Sequence, residues 1–147
     1  IRKETEMSKV AVVYWSGTGN TEAMADLIAE GVREAGGTAD VIECSQFGPD
    51  QLDDFDAFAF GCPAMGDEEL EDGEFLPMYD VVEPLLSGRR VVLFGSYDWN
   101  DGEWMELWEQ RAEAAGLDLV DSVIAKDYPD DDASAKCARV GMAIAKG

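Results

Sequence analysis

Residues Ser16 to Thr21, read as SGTGNT, place three hydroxyl side chains, one carboxamide and two glycines in a row, with no lysine or arginine among them. The chemistry such a loop suits is the holding of an anion, typically a phosphate. Bare backbone N–H groups at the opening of a helix attract negative charge. Ser16, Thr18, Asn20 and Thr21 add side-chain donors, and Gly17 and Gly19 let the backbone come close. Taken alone, the segment is also readable as a strand-to-helix turn with capping hydroxyls. The common phosphate loops do not match it. A Walker-type loop needs a lysine, and the dinucleotide fingerprint needs a third glycine where Glu22 stands. A low-molecular-weight phosphatase needs Cys and Arg around the loop. A receiver domain needs an acceptor aspartate near the end of the third strand, where Gly61 and Cys62 stand. No Lys or Arg lies between Lys9 and Arg33, nor between Arg33 and Arg89, so an anion here is held by neutral donors.

The remaining composition narrows the chemistry further. Histidine is absent, which removes hydrolytic triads and imidazole metal sites. Cys44, Cys62 and Cys137 are odd in number and far apart, and they signal neither a disulfide framework nor a zinc or iron–sulfur site. This usage points to a reducing cytoplasm. With 11 Lys and Arg against 32 Asp and Glu, the net charge of −21 argues against nucleic acid and anionic membranes as partners, favours a monomer, and leaves a basic protein surface as the natural counterpart.

A loop of this kind needs a strand to end before it and a helix to begin after it, and the surrounding sequence supplies both. Five β-type runs occur at 9–15, 38–44, 57–62, 90–96 and 117–125. After the first, Met24, Leu27, Ile28, Gly31, Val32 and Ala35 share one face of a helix, which AGG at 35–37 stops. Further helices are predicted at about 78–87, 102–115 and 131–146. Strand and helix alternate, and the first and fourth runs are nearly continuous apolar stretches, as in parallel strands covered on both faces. One α/β layered domain is expected over residues 7–147. Residues 1–6 (IRKETE) read as an N-terminal extension excluded from the fold. No stretch approaches the ~20 apolar residues a membrane helix needs, and the long connection 62–77 has the length of a functional loop.

SGTGNT after the first strand, GCPAMGDEELED after the third and FGSYDW after the fourth together resemble the short-chain flavodoxins, from Met7 to the end of the chain. The resemblance implies a flavodoxin-like three-layer sandwich, a five-stranded parallel sheet of order 2-1-3-4-5 with helices on both faces. It also implies one non-covalently bound FMN. Ser16, Gly17, Thr18, Gly19, Asn20 and Thr21 would cradle the FMN phosphate. Pro63, Ala64, Met65, Gly66, Asp67 and Glu68 would meet the inner side of the ring: Met65 packs on it, the Gly66–Asp67 peptide flips, and Glu68 bonds the pyrimidine N3. Trp99 would cover the outer face, with Ser96, Tyr97 and Asp98 along the ring and ribityl chain.

By the same resemblance the chain is an electron carrier and not an enzyme, delivering low-potential electrons one at a time as FMN cycles between semiquinone and hydroquinone. A Gly66 carbonyl turned toward N5 would accept its hydrogen only after reduction, and glycine suits that turn because φ can be positive. Asp67, Glu68, Glu69, Glu71, Asp72 and Glu74 form an acidic rim for redox partners with basic docking surfaces. Asp98 and Asn100 flank Trp99 where relatives carry glycine, which strains the backbone if φ is positive there. Trp104, Trp108 and Trp15 read as packing residues, and Cys62 as a small apolar one. The alternatives are an FMN-dependent NAD(P)H:quinone reductase, which needs an open ring face and basic residues for its second cofactor, and a binding module or a domain of a larger reductase.

Overall fold

The computed structural model describes residues 8–99 and 101–146. The N-terminal extension expected at 1–6 lies outside the described residues. The chain runs β1 (Lys9–Tyr14), α1 (Asn20–Glu34), β2 (Thr38–Glu43), β3 (Ala57–Gly61), α2 (Phe75–Val82), β4 (Arg90–Tyr97), α3 (Glu103–Ala114), β5 (Asp118–Lys126) and α4 (Asp131–Lys146). All strand pairs are parallel, and the order across the sheet is β2-β1-β3-β4-β5. This is the flavodoxin-like architecture expected from the sequence.

Side chains alternate across a strand, so a strand covered on both faces sorts its apolar residues into two cores. In β1, Val10 and Val12 join Met24, Ile28 and Val32 of α1 and Val140 and Ile144 of α4. Ala11 and Val13 face the other way, toward Phe75 and Tyr79 of α2 and Trp104 and Trp108 of α3. The first core closes by near backbone contact: a Cβ on Gly31 would lie 2.2 Å from the Ala138 carbonyl oxygen, and one on Gly141 would lie 2.1 Å from that of Ile28.

Helix α2 departs from the sequence expectation, starting three residues earlier and ending sooner. The Glu71 carboxylate explains the start, since it accepts hydrogen bonds from the N–H groups of Gly73, Glu74 and Phe75, each at 2.8 Å. Pro77 is tolerated because it falls in the first turn, where its missing N–H would have no partner. Pro84 ends the regular helix, and residues 83–85 continue as a 3₁₀ turn.

One irregularity in the sheet bears on the site. The β4–β5 register shifts by one residue between Val91 and Val92, after which Tyr97 lies opposite Lys126. The Asp127 N–H then donates to the Tyr97 carbonyl at 2.7 Å, drawing the chain after β5 over the end of β4.

Candidate functional site

Four loops leave the carboxyl ends of β1, β3, β4 and β5, and the sheet's hydrogen bonding runs on into them. Trp15 N–H donates to the Gly61 carbonyl at 3.0 Å and Ala64 N–H to that of Ser96 at 2.9 Å. Beneath the loops, the Oγ atoms of buried Thr21 and Ser96 are hydrogen-bonded at 2.8 Å, joining α1 to β4. The loops enclose a cleft of about 270 Å³, placed where an open parallel sheet binds its ligands.

Within the first loop, Ser16 Oγ accepts from the N–H groups of Gly19 at 3.0 Å and Glu22 at 3.3 Å, curling the segment on itself. Gly19 caps α1 at φ 94°, a left-handed conformation that costs a residue with a Cβ of order 1–3 kcal/mol. Among the described residues, the N–H groups of Ser16, Gly17, Thr18 and Thr21 have no hydrogen-bond partner. They are orphan donors at a helix start.

The cleft is lined by nine of the residues singled out from the sequence: Gly17, Thr18, Asn20, Pro63, Ala64, Met65, Ser96, Tyr97 and Asp98. It also takes in Trp15, which the sequence reads as packing, and Asp127, which the sequence does not single out. Trp15 reaches the cleft because its ring lies on Gly17, 3.1 Å from where a Cβ would stand, and its Nε1 donates to Glu74 at 3.1 Å. Asp127 stands at the end of β5, and the carboxyl-end position of that strand was the available signal for it. Among the described residues, no Lys or Arg lines the cleft. The sheet register nevertheless places Lys126 opposite Tyr97.

Other expected residues are arranged differently. Residues 65–69 form a tight hairpin, closed by Met65 N–H to the Glu69 carbonyl at 2.8 Å and Glu69 N–H to that of Met65 at 2.9 Å. Gly66 turns it at φ 48° with open space beside it. Glu68 reaches across to α3, accepting from Asp101 N–H at 2.9 Å and Trp104 N–H at 3.1 Å. Asp67, Glu68 and Trp99 border a second, more open cleft of about 420 Å³ together with Asp101, Glu103 and Leu107. Trp99 is 71% exposed. Among the described non-glycine residues, positive φ occurs at Glu68 (63°) and Asp127 (57°), so the backbone at Asp98 is not left-handed. Asn100 lies outside the described residues.

Ionisable groups near the site carry burial signatures. Burial and the adjacent Glu22 push the Tyr14 hydroxyl up to about 12, and its Oη donates to Glu22 at 3.0 Å. Cys62 is fully buried and its thiol is pushed up by burial, while Sγ accepts from Glu71 N–H at 3.2 Å. It is the inert residue the sequence suggested.

A doubly wound parallel sheet with an anion-type loop and an aromatic-walled cleft at its carboxyl edge defines a class of cofactor-binding α/β proteins. Comparison with known proteins narrows the class. The family model described as Flavodoxin matches residues 12–141. The chain is 43% identical over 137 residues to a flavodoxin of Megasphaera elsdenii, covering 93% of this chain and 98% of that one. It is likewise 43% identical to a flavodoxin of Clostridium beijerinckii, covering 91% and 97%. The solution structure of two-electron reduced Megasphaera elsdenii flavodoxin superposes with a TM-score of 0.88, covering 94% of this chain and 99% of the other. The chain belongs to the flavodoxin family and is an FMN-binding electron-transfer protein.

Proposed function

We propose that the chain is a low-potential one-electron carrier that holds FMN with residues 16–21 around the phosphate and the loops 63–68 and 96–99 around the ring. The observation that carries this reading is the set of orphan N–H donors at 16–18 and 21, opening onto a cleft walled by Trp15, Met65 and Tyr97. Those donors fit a phosphate, and the mixed aromatic and polar walls fit a flat heterocycle with a hydroxylated chain. When bound, FMN supplies one-electron redox chemistry. Gly66, already at positive φ with room beside it, supplies a turn whose peptide can reverse without a steric clash. Met65 is the packing surface, Ser96 and Tyr97 orient the ring, and Asp98 and Asp127 place negative charge beside the cleft and oppose further charge on the cofactor.

Docking follows from the same rim. Asp98 lines the cleft and Asp67, Glu69 and Asp72 line neighbouring grooves, with no Lys or Arg in the 63–76 loop, which favours redox partners presenting basic surfaces. The protein works as a cytoplasmic monomer in this reading; among the described residues no helix is long and apolar enough to cross a membrane. Stepwise anaerobic reduction of the FMN-loaded protein, followed by visible absorption, tests the function. A stable one-electron stage with long-wavelength absorption is expected. Direct two-electron bleaching would reject the carrier mechanism.

A further inference from the structure

Aromatic rings run from the cleft into the α2–α3 core as two contacting pairs, Tyr97 with Trp104 and Trp108 with Tyr79. Tyr97 walls the cleft, and its ring centroid is 5.7 Å from that of Trp104. Trp108 follows Trp104 by one helical turn, the spacing at which side chains on a helix are neighbours. The Trp108 and Tyr79 centroids are 5.6 Å apart. Beyond Tyr97 every ring in this series is essentially buried.

The far end of the line is chemically distinct. Tyr79 Oη, Trp108 Nε1 and Glu83 Oε2 are buried together, the phenol facing both the carboxylate and the indole, and among the described residues none of the three atoms makes a hydrogen bond of full geometry. Buried polar atoms are rarely left this way, and a redox role is one physical reason. Glu83 is fixed by its other oxygen, Oε1, which accepts from Arg111 Nε at 2.9 Å. Arg111 also pairs with Asp80 at 2.6 Å and sits 5.0 Å over the Tyr79 ring.

We propose that Tyr97, Trp104, Trp108 and Tyr79 form a hole-transfer chain that draws oxidising equivalents from the cofactor cleft to Tyr79, with Glu83 as proton acceptor. This rests on FMN occupying the cleft. The oxidant is light-excited oxidised flavin, which takes one electron from the ring next to it. Each ring is then refilled by the next one inward, until Trp108 is refilled from Tyr79. Tyr79 loses one electron to Trp108 and its phenolic proton to Glu83 Oε2. The net change is one electron gained by the flavin, a neutral tyrosyl radical, and a protonated Glu83.

Two features make Tyr79 the terminus. A phenol that has lost an electron is a strong acid, so the hole settles where a base is adjacent; Tyr97 has no carboxylate hydrogen-bonded to it among the described residues, and Trp104 Nε1 donates to the Cys62 carbonyl, which cannot keep a proton. The Arg111 guanidinium over Tyr79 also disfavours a cationic ring, so the hole is stable there only once the proton has left. The chain would protect the site by moving a damaging oxidation into a buried core.

The test is a laser flash on the anaerobic FMN-loaded protein, read by transient absorption and by electron paramagnetic resonance of flash-frozen samples, with FMN retention measured for each variant. A long-lived tyrosyl radical is expected in the parent protein. Tyr79→Phe should abolish it with FMN retention unchanged, since Tyr79 lies in the α2–α3 core and does not line the cleft. Trp108→Phe should suppress it. Glu83→Gln should replace it with a short-lived tryptophan radical that returns its charge to the flavin. An unchanged radical in Tyr79→Phe, or one located on Tyr97 or Trp99, would overturn the chain while leaving the FMN reading intact. Failure of the parent protein to retain FMN would overturn both.

Discussion

The two halves of the cleft are built on different principles. The anion loop is one continuous segment, shaped by its own short-range bonds such as Ser16 to Gly19 and Glu22. The opposite wall is assembled from three separate loops. Its members are held to one another by Ala64 to Ser96, Asp127 to Tyr97 and Glu68 to the start of α3. The first half depends on which conformations a few residues can adopt, and the second on whether distant segments arrive in register.

That contrast predicts where changes act. Gly19→Val forces a β-branched residue to φ 94°, so it should weaken FMN binding by about ten- to a hundredfold through ~1–3 kcal/mol of strain, with little change in apoprotein fold. Titration of apoprotein with FMN, followed by flavin fluorescence, checks this, and an affinity within error of the parent's would refute the loop assignment. Glu68→Ala should instead lower apoprotein stability by about 1 kcal/mol, because it leaves the Asp101 and Trp104 N–H groups uncapped. Chemical denaturation reads that loss, and hydrogen exchange should show lower protection at the Trp104 amide.

Smaller effects come from charge. Asp98→Asn removes one carboxylate from the cleft lining and should raise the reduction potentials by about 20 mV, taking ~0.4 kcal/mol for a charge at ~10 Å in water. Spectroelectrochemical titration checks the sign, and a fall in potential would contradict it. The smallest effect concerns Glu71. Burial alone would raise its pKa, but the N–H groups of Phe75, Glu74 and Gly73 outweigh burial and hold the group below the usual glutamate value. A depressed folded value stabilises the protein above the unfolded pKa. The contribution is lost as pH falls from the ordinary glutamate range through the folded value, and is small because the side chain is only partly buried. Glu71→Gln should flatten that part of the acid stability profile, as measured by thermal melts across pH.

The same contrast explains what could be read from the sequence. The five strands, α1, α3 and α4 follow from apolar period and stop signals, and all occur within a residue or two of their expected bounds. The start of α2 is not legible in the sequence because its cap, Glu71, stands four residues upstream in a loop and has no periodic signature. The sequence reads Trp15 as packing because its direction depends on the absence of a Cβ at Gly17. Asp127 stands at a strand end that the sequence marks, but its placement over β4 depends on a register shift between Val91 and Val92, more than thirty residues away along the chain, which no local pattern records. Of the two positions where strain is expected if φ is positive, Asp98 is not left-handed and Asn100 lies outside the described residues; among the described non-glycine residues positive φ falls at Glu68 and Asp127, where interstrand and cross-loop hydrogen bonds hold the backbone.

By itself the sequence determined the alternation of strand and helix, the acidity, and an anion loop of neutral donors, because each is set by residue type and short-range spacing. The tertiary structure alone decided which loops meet, placing Asp127 and Trp15 at the cleft, Glu68 on α3, and Tyr79 beside Trp108 and Glu83. Those juxtapositions depend on sheet register and helix packing, and the spacing of residues along the chain does not encode them.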